Sequence, residues 1–386
     1  MPGSGGAGAP GGGRVPAKIL LANRDDLRRA GRSLDEPSFH VGIMFERALD
    51  AAGFEPELMA PADPRRILRA GIDFLGPVRR APVAAVVQGY ACVSAFLDSL
   101  LPRPSAVILH TWKVPWTGPR RLTAHLMDRV LERVIRISRL VVLASHEQRR
   151  LMAERHPRVR TVWIPVTADI DWWKPGPIET GVLDRLRLRR GEYLLSVGDV
   201  DRDESVPVRV AQRLSRPLVR VTRDPGTKAR AEETFRSLDA RNAHCLLRIP
   251  YPELRDLYRG AWTMLAAPVL SYHPAGLTGL TEGMAAGTPL LFPRSVTAEG
   301  YAEDGVHALL YDEMSVDSIA AAAARLEEPG LRARISQSAR AVSEQRLNYD
   351  AASAMLREAI VGLDLHATPR ARRWLRRHSP AEAEKR

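Results

Sequence analysis

The chain has 386 residues, 45% of them hydrophobic, and a formal net charge of +12 at pH 7. This length allows two domains, since a single hydrophobic core rarely grows beyond roughly 250–300 residues. No apolar run reaches the roughly 18 residues of a membrane span, and the N-terminus lacks a signal-peptide core, which argues against membrane and secreted classes. The positive charge favours anionic partners such as nucleotides and phospholipids, although solvated arginines on helix faces explain it equally well.

The N-terminus and the cysteines narrow the choice further. Residues 1–16 are rich in Gly and Pro, which predicts a disordered leader. Cys92 and Cys245 lie far apart without metal-type spacing, so we expect neither a disulfide framework nor a zinc site. A cytoplasmic protein is the resulting expectation.

Strand-like and helix-like segments alternate through the first half of the chain. Strand-like runs lie at residues 17–23, 55–61, 83–89, 105–112, 140–145 and 161–169. Helical periods lie between them at 39–53, 91–100 and 121–137. Because the runs of Val, Ile and Leu do not alternate with polar residues, both faces of these strands should be covered. This pattern predicts a parallel sheet built from βαβ units.

A connector rich in Pro and Gly, residues 171–181, precedes a second alternating series. Its strand-like runs lie at 192–200, 217–223, 244–250, 263–269, 288–293 and 307–312, and its helical segments at 207–214, 252–261, 278–286, 316–327, 331–345 and 349–363. We therefore predict an α/β protein with two Rossmann-like, doubly wound domains. Ligands of such sheets bind at the carboxyl ends of the strands, so the site should lie in the cleft between the domains.

The stretch HPAGLTGLTEGMAAGTPLL, residues 273–291, contains the main candidate site. Residues 278–286 predict a short helix with one apolar face, which ends at Gly287 because Pro289 cannot continue it. Gly276 leaves the first backbone N–H groups uncovered, and such a helix N-terminus suits a phosphate. Glu282 lies about one turn inside the helix, where a carboxylate can accept hydrogen bonds from ribose hydroxyls. A glycine-bounded helix with a surface glutamate is also a common structural element without a ligand.

Five motifs in the region 161–363 resemble, in the same order, those of the retaining glycosyltransferase family 4, which has the GT-B architecture. IPVTADIDWWKP resembles the family's hinge, EYLLSVGDV its VGRL strand, and GLTGLTEGMAAGTPLL its pattern GxTxxxEAMAxGxPVV. IPYPELRDLYRGAWTMLAAP and AEGYAEDGVHALLYD resemble two further patterns of the family. The resemblance implies two Rossmann-like domains that face each other across a cleft. It also implies a last helix that crosses back to the first domain.

The resemblance assigns the nucleotide sugar to residues of the second half. Glu282 would bind the ribose of a nucleoside diphosphate sugar, UDP- or GDP-linked, and the amides of Leu277 and Thr278 would bind its diphosphate. Ile249 and Pro250 would border the base. Transfer with retention would then follow without a covalent protein intermediate, a metal ion or another cofactor.

Domain limits also follow from the resemblance. They are a leader at 1–16, an acceptor-side domain at 17–172, a nucleotide-sugar domain at 173–348, a crossing helix at 349–365 and a basic tail at 366–386. In the first domain, His110 resembles a histidine that the family places near the transferred sugar. An isolated histidine at a strand end is equally often only hydrogen-bonded.

Two departures from the family concern the loop that follows Gly198. The family has a cation directly after this glycine and a lysine five residues further on, whereas this chain has Asp199 and Glu204. Two acids beside a diphosphate would repel it unless the loop turns them away or a cation compensates. Arg202 is the first candidate for that cation and for a role at the leaving group, and the next candidates are Arg223 and Lys228.

A third departure is Pro274, which stands where the family often has an acid eight residues before Glu282. Together with the two acids of the phosphate loop, it supports the alternative of a non-catalytic nucleotide-sugar-binding or scaffold protein. A GT-B epimerase is a further alternative, but no paired catalytic acids support it.

Basic clusters at 118–139, 146–160 and 369–378 form the last notable feature. They suit docking on an anionic membrane surface, in which case the acceptor could be a lipid and the protein peripheral at the inner membrane face. Solvated helix faces are the other explanation. No stacking platform or recognition helix accompanies the clusters, so we expect no nucleic-acid partner.

Overall fold

The structure is a computed structural model of the whole chain. It describes residues 14–20, 37, 40–60, 72–87, 90–111, 122–199, 203–268, 275–294, 298–328 and 330–377, without the side chains of residues 40, 90 and 122–125. Every structural statement below concerns these residues.

The first half forms a six-stranded parallel sheet. The strands are β1 (Val15–Leu20), β2 (Phe54–Met59), β3 (Val83–Val87), β4 (Ala106–His110), β5 (Leu140–Leu143) and β6 (Thr161–Trp163), in the spatial order β2-β1-β3-β4-β5-β6. Helices α1 (His40–Ala51), α2 (Leu75–Arg80), α3 (Tyr90–Ser99), α4 (Leu122–Ile137) and α5 (His146–Arg155) connect them. β3, β4 and β5 are buried along their whole length, as the unbroken apolar runs predict.

The second half forms another six-stranded parallel sheet. Its strands are β7 (Leu194–Val197), β8 (Leu218–Thr222), β9 (Ala243–Leu247), β10 (Thr263–Leu265), β11 (Leu290–Pro293) and β12 (Leu309–Tyr311), in the order β12-β11-β10-β7-β8-β9. Its helices are α6 (Val182–Leu186), α7 (Ser205–Arg213), α8 (Pro225–Ser237), α9 (Tyr251–Gly260), α10 (Leu277–Ala286), α11 (Val316–Ala324) and α12 (Leu331–Gln345). Core clusters cover both faces of this sheet.

The last two helices, α13 (Tyr349–Val361) and α14 (Pro369–Arg377), pack on the first half. Ala352, Leu356 and Ile360 of α13 are buried in one core cluster with residues of α1 and of the first sheet. An ion pair joins Arg47 of α1 to Asp350 at the start of α13. The predicted crossing of the C-terminal helix to the N-terminal domain is therefore confirmed.

The two halves meet where the strands of both sheets end. Tyr301, in the segment that follows β11, donates a hydrogen bond to the carbonyl of Ala144 at the end of β5, over 2.6 Å. Its hydroxyl also accepts one from the backbone N–H of Val166, over 2.7 Å. Arg150 of α5 pairs with Glu299 at 3.1 Å. The carboxyl edges of the sheets therefore face each other, which is the arrangement expected of a cleft.

Two segments differ from the sequence-based expectation. The predicted strand at 161–169 pairs only over Thr161–Trp163, because Pro165 has no N–H to continue the ladder. The basic tail contains a regular helix, α14, which was expected only as a charged run. The domain limits at 172/173 and 348/349 stay predictions.

Candidate functional site

The second sheet has one topological switch point, between β7 and β10. The chain runs from β7 to β8 and β9 on one side and then returns to β10 on the other side of β7. Crossovers leave a sheet in opposite directions at such a point, and a crevice opens there outside the carboxyl ends of the strands. Gly198 follows β7 at this edge, and α10 follows β10. The chain order therefore brings two of the predicted segments to one crevice.

Glycines hold α10 close to the strands at this crevice. Gly276, the N-cap, has a φ of 89°, and a Cβ there would lie 3.3 Å from the ring of Phe292. Cβ atoms at Gly279 and Gly283 would lie 2.7 Å from Met264 and Leu290, respectively. Gly276 therefore gives the backbone its turn, and Gly279 and Gly283 let the helix approach β10 and β11 without displacing Met264 and Leu290.

Only one face of α10 is open. Thr278 is exposed and Glu282 half-buried, whereas the remaining residues of the helix are buried. Residues four apart lie on the same face of a helix, so these two side chains share the open face. The first turn has no side-chain cap and no acidic residue. Its N–H groups and the positive end of the helix dipole can thus serve an anion at this point.

Tyr258 of α9 holds the carboxylate of Glu282. Its hydroxyl donates a hydrogen bond to Glu282 Oε2 over 3.1 Å. The tyrosine is itself fully buried, and its ring meets that of Trp173 edge-on with centroids 5.2 Å apart. Glu282 is therefore oriented from the core while it remains partly accessible from the open face.

The two acids of the loop that follows Gly198 bind to neighbouring residues of the second half. Asp199 accepts hydrogen bonds from the Thr222 hydroxyl and from the backbone N–H of Arg223, the latter at 3.2 Å. Glu204 forms a two-pronged ion pair with Arg220 of β8, in which both N–O distances are 2.7 Å. Arg220 is 1% exposed and Glu204 9% exposed, so this pair lies in the core. The cation that compensates Glu204 is thus Arg220, which the sequence analysis did not single out.

The next two strand ends carry the other predicted donor residues. Arg223 follows β8, and its Nη1 donates a hydrogen bond to the hydroxyl of Tyr251 over 2.9 Å. Lys228 lies in the first turn of α8 and pairs with Glu232 at 3.3 Å. Ile249 and Pro250 follow β9, directly before Tyr251 at the start of α9. The N-terminus of α10 and the segments that follow β7, β8 and β9 therefore lie along one edge of the sheet, in that order.

His110 ends β4 on the carboxyl edge of the first sheet. It is 4% exposed, and its ring meets that of Phe45 edge-on with centroids 6.2 Å apart. Burial lowers the pKa of His110 from 6.5 to about 4, because a charged imidazole loses its hydration there. The side chain is thus neutral at pH 7.

Several predicted positions lie outside the described residues. They are Arg202 and Pro274, together with His273 beside Pro274. The role of Arg202 therefore stays a prediction. Conversely, the structure adds Arg220, Tyr251 and Tyr258 to the surroundings of the site. An arginine within the apolar run PLVRVTR was the one sequence signal for a buried ion pair.

Comparison with known proteins tests the fold. No protein-family model and no curated protein matches this sequence. Sucrose-phosphate synthase from Thermosynechococcus elongatus superposes with a TM-score of 0.71 at 15% identity, covering 91% of this chain and 99% of that one. HepE from Anabaena in complex with UDP-glucose gives 0.67 at 13%, covering 90% and 99%. The chain has the GT-B fold.

A third GT-B structure belongs to a protein with a different activity. UDP-N-acetylglucosamine 2-epimerase from Rickettsia bellii superposes with a TM-score of 0.59 at 13% identity, covering 95% of this chain and 99% of that one. The predicted α/β class with two Rossmann-like domains is thus confirmed, while the fold by itself is shared by transferases and an epimerase. Among the described residues, no three His, Cys, Asp or Glu side chains cluster as metal ligands would. None of the helices described is long and apolar enough to span a bilayer.

Proposed function

We propose that the protein is a glycosyltransferase that transfers a sugar from a nucleoside diphosphate sugar to an acceptor hydroxyl, with retention and without a metal ion. The supporting observation is the uncapped N-terminus of α10 at the switch point of the second sheet, with Thr278 and Glu282 on its single open face. The similar HepE structure is a complex with UDP-glucose, which makes a UDP-linked sugar the first donor to test.

The order of the segments along the edge gives the donor a direction. The diphosphate would lie on the amides of Gly276, Leu277 and Thr278 beside Gly198, and Glu282 would accept from the ribose hydroxyls. The base would extend past β8 towards Ile249 and Pro250.

Positive charge for the leaving diphosphate would come from fixed protein groups. The N-terminus of α10 offers oriented N–H donors and about half a unit of positive charge. Arg223 and Lys228 lie at the next strand end and on the helix that follows it, and Arg202 would add a further cation. Of the two acids in this loop, Glu204 is neutralised by Arg220, and Asp199 accepts hydrogen bonds from the Thr222 hydroxyl and the backbone N–H of Arg223.

His110 would act on the other side of the cleft. Because its pKa is about 4, the imidazole is neutral at pH 7 and can offer one donor and one acceptor. It would orient a hydroxyl of the transferred sugar or the acceptor, and it would not carry a charge. The contact between Tyr301 and Ala144 joins the two edges around this space.

The test is to incubate the full chain with UDP-, GDP- and ADP-linked sugars and a set of hydroxyl-bearing acceptors, with and without a chelator. The released nucleoside diphosphate is then measured. Release that the chelator leaves unchanged, with an acceptor product of retained anomeric configuration by NMR, supports the proposal. An interconverted nucleotide sugar without acceptor would indicate an epimerase. Binding without turnover of any donor would indicate the non-catalytic alternative.

Glu282→Gln tests the ribose contact directly. Loss of charged hydrogen bonds should weaken donor binding by about 10–100-fold, which corresponds to about 1.5–3 kcal/mol. Glu313→Gln is the control, since Glu313 is exposed and follows β12 at the outer edge of the sheet. Isothermal titration with the donor compares both variants. Equal affinity of Glu282→Gln and the unchanged chain would remove Glu282 from the site.

The acceptor in this proposal is any molecule that presents a free hydroxyl group in the cleft. A small molecule, a glycan or a lipid would each provide the hydroxyl, and a lipid acceptor would make the protein peripheral at the inner face of a membrane. A cytoplasmic location remains the prediction from the cysteines.

A further inference from the structure

The helix α14 lies across the amino-terminal edge of the first sheet, opposite the edge that carries His110. Its residue Arg370 pairs with Asp98 at 3.5 Å and donates hydrogen bonds to Ser105 Oγ and to the carbonyl of Ala81. Ser105 directly precedes β4, and Ala81 comes two residues before β3. Residues 369–377 of the predicted basic tail are thus fixed to a defined surface.

The helix presents a purely basic outer face. Ala371 is buried, and Trp374 and Leu375 pack against the core of the first half. The opposite face exposes four arginines, and the helix contains no acid at all. These side chains are Arg372, Arg373, Arg376 and Arg377, for which the described residues provide no carboxylate within ion-pair distance.

A loop with two exposed leucines lies beside this helix. Leu100 and Leu101, between α3 and β4, are 61% and 40% exposed, and Arg103 follows them on the surface. Asp98 ties the loop to its neighbours, because it accepts from the backbone N–H of Ser105 at 2.6 Å and pairs with Arg79 at 3.3 Å. Asp98 thus joins the loop, α2 and α14 into one surface.

We propose that this surface, which we call the basic edge, docks on an anionic phospholipid bilayer. It consists of Leu100, Leu101 and Arg103 of the loop and of Arg372, Arg373, Arg376 and Arg377 of α14. Arginines that pair with no carboxylate among the described residues suit lipid phosphates, and two adjacent exposed leucines suit the boundary between headgroups and acyl chains. A nucleic acid would instead require exposed stacking groups, and Trp374, the aromatic residue of α14, packs inward.

Docking at the basic edge has a consequence for the cleft. The strands of the first sheet have three to six residues, so its two edges are roughly 10–20 Å apart. A bilayer bound at the amino-terminal edge leaves the carboxyl edge facing the solution. The proposal therefore concerns attachment of the protein, and it holds whether or not the chain transfers a sugar.

The first test measures co-sedimentation of the full chain with phosphatidylcholine vesicles, with and without phosphatidylglycerol. We expect binding only to the anionic vesicles, and the variant Arg372→Gln/Arg376→Gln should lower the partition coefficient by about 10–30-fold. The control Arg129→Gln/Arg133→Gln removes two exposed arginines with the same spacing from α4, on another face of the sheet. Equal losses for both double variants would overturn the proposal, because net charge alone would then explain binding.

The second test separates a bilayer from other anionic partners. Leu100→Ser/Leu101→Ser should weaken binding to anionic vesicles by about tenfold, since their apolar area would no longer leave water. Leu126→Ser on α4, where the leucine is 57% exposed, should leave binding unchanged. If the leucine variant binds vesicles as the unchanged chain does, or if an oligonucleotide binds more tightly than vesicles with the same arginine dependence, the proposal fails. Circular dichroism confirms that each variant is folded.

Discussion

At the scale of single residues, charge in the loop that follows Gly198 is arranged differently from the pattern of the family that the sequence resembles. Where the family has two cations, this chain has Asp199 and Glu204, and each is bound to a neighbour on β8 or directly after it. Arg220 therefore neutralises Glu204, whereas the groups that donate to Asp199 are an uncharged hydroxyl and a backbone N–H. The resembled family has cations at positions 199 and 204. In this chain both positions are acidic, and the nearby cation is Arg220, which is buried in β8 and pairs with Glu204.

The ion pair of Arg220 with Glu204 supports the first prediction. Arg220→Met leaves the buried Glu204 without a partner and should lower the free energy of unfolding by about 3–5 kcal/mol. Arg220→Met/Glu204→Leu should recover most of that loss, because a buried ion pair can often be replaced by apolar side chains. Urea unfolding compares the variants. A double variant as unstable as the single one would show that the pair does not act as a unit.

The burial of His110 supports a prediction on pH. Its folded-state pKa of about 4 lies below the unfolded value of 6.5, so the unfolded chain binds the proton more readily. The free energy of unfolding therefore has its full contribution from neutral His110 above pH 6.5, and this contribution is lost as the pH falls towards 4. At pH 4.5 the loss should be about 2–3 kcal/mol relative to pH 7.

His110→Gln provides the comparison for that loss. Glutamine does not titrate, so the variant's unfolding free energy should fall less between pH 7 and pH 4.5 than that of the unchanged chain. Urea unfolding at both pH values gives the difference. If the unfolding free energy falls by the same amount in both proteins between the two pH values, His110 does not have the lowered pKa that its burial predicts.

At the scale of elements, the packing of α10 depends on two glycines one turn apart. A Cβ at Gly283 would lie 2.7 Å from Leu290 Cδ2, and one at Gly279 would lie equally close to Met264 Cε. A methionine end is flexible and can move aside, whereas the branched end of leucine is held in a packed core. Alanine substitutions at the two glycines therefore compare a contact that can yield, at Met264, with one that cannot, at Leu290.

Gly283→Ala should lower the free energy of unfolding by about 1–3 kcal/mol through overpacking. Gly279→Ala should be milder, because the gain in helix propensity of up to about 1 kcal/mol offsets the small shift of Met264. Donor titration of both variants reports whether α10 keeps its position. Equal destabilisation by the two substitutions would contradict the difference in flexibility.

At the scale of the whole molecule, the contact between the carboxyl edges depends on Tyr301. Its buried hydroxyl accepts from Val166 N–H and donates to Ala144. His146 stacks on Trp163 next to it, with ring centroids 4.2 Å apart, and Gly300 leaves no room there for a side chain. This contact positions the predicted acceptor side and the predicted donor side relative to each other.

Tyr301→Phe should therefore destabilise the chain by about 1–3 kcal/mol, since the Val166 N–H loses its acceptor and the Ala144 carbonyl keeps only the hydrogen bond from Trp163 Nε1. The amide of Val166 should exchange faster with deuterium. Tyr193→Phe is the matched control, because its buried hydroxyl donates to Leu257 within the second half. A Val166 amide that exchanges equally in both variants would show that the hydroxyl does not hold the edges together.

The sequence by itself determined the two sheets, the succession of their elements and the helix predicted at 278–286. Apolar runs and glycine stops are local, so they can be recognised without knowing what lies nearby. It also determined the C-terminal crossing, through the resemblance. The helix of the basic tail was missed, because its apolar face is only Ala371, Trp374 and Leu375.

The tertiary structure alone decided which charged groups meet. Arg220 lies 16 residues from Glu204 in the chain, and Asp98 lies 272 residues from Arg370; both pairs depend on strands and helices brought together by folding. The separation of these residues along the chain does not predict such contacts. It depends on the lengths of the connections between elements, whereas the contacts depend on how the strands and helices pack. The ion pair of Arg220 with Glu204 and the basic edge follow from those contacts.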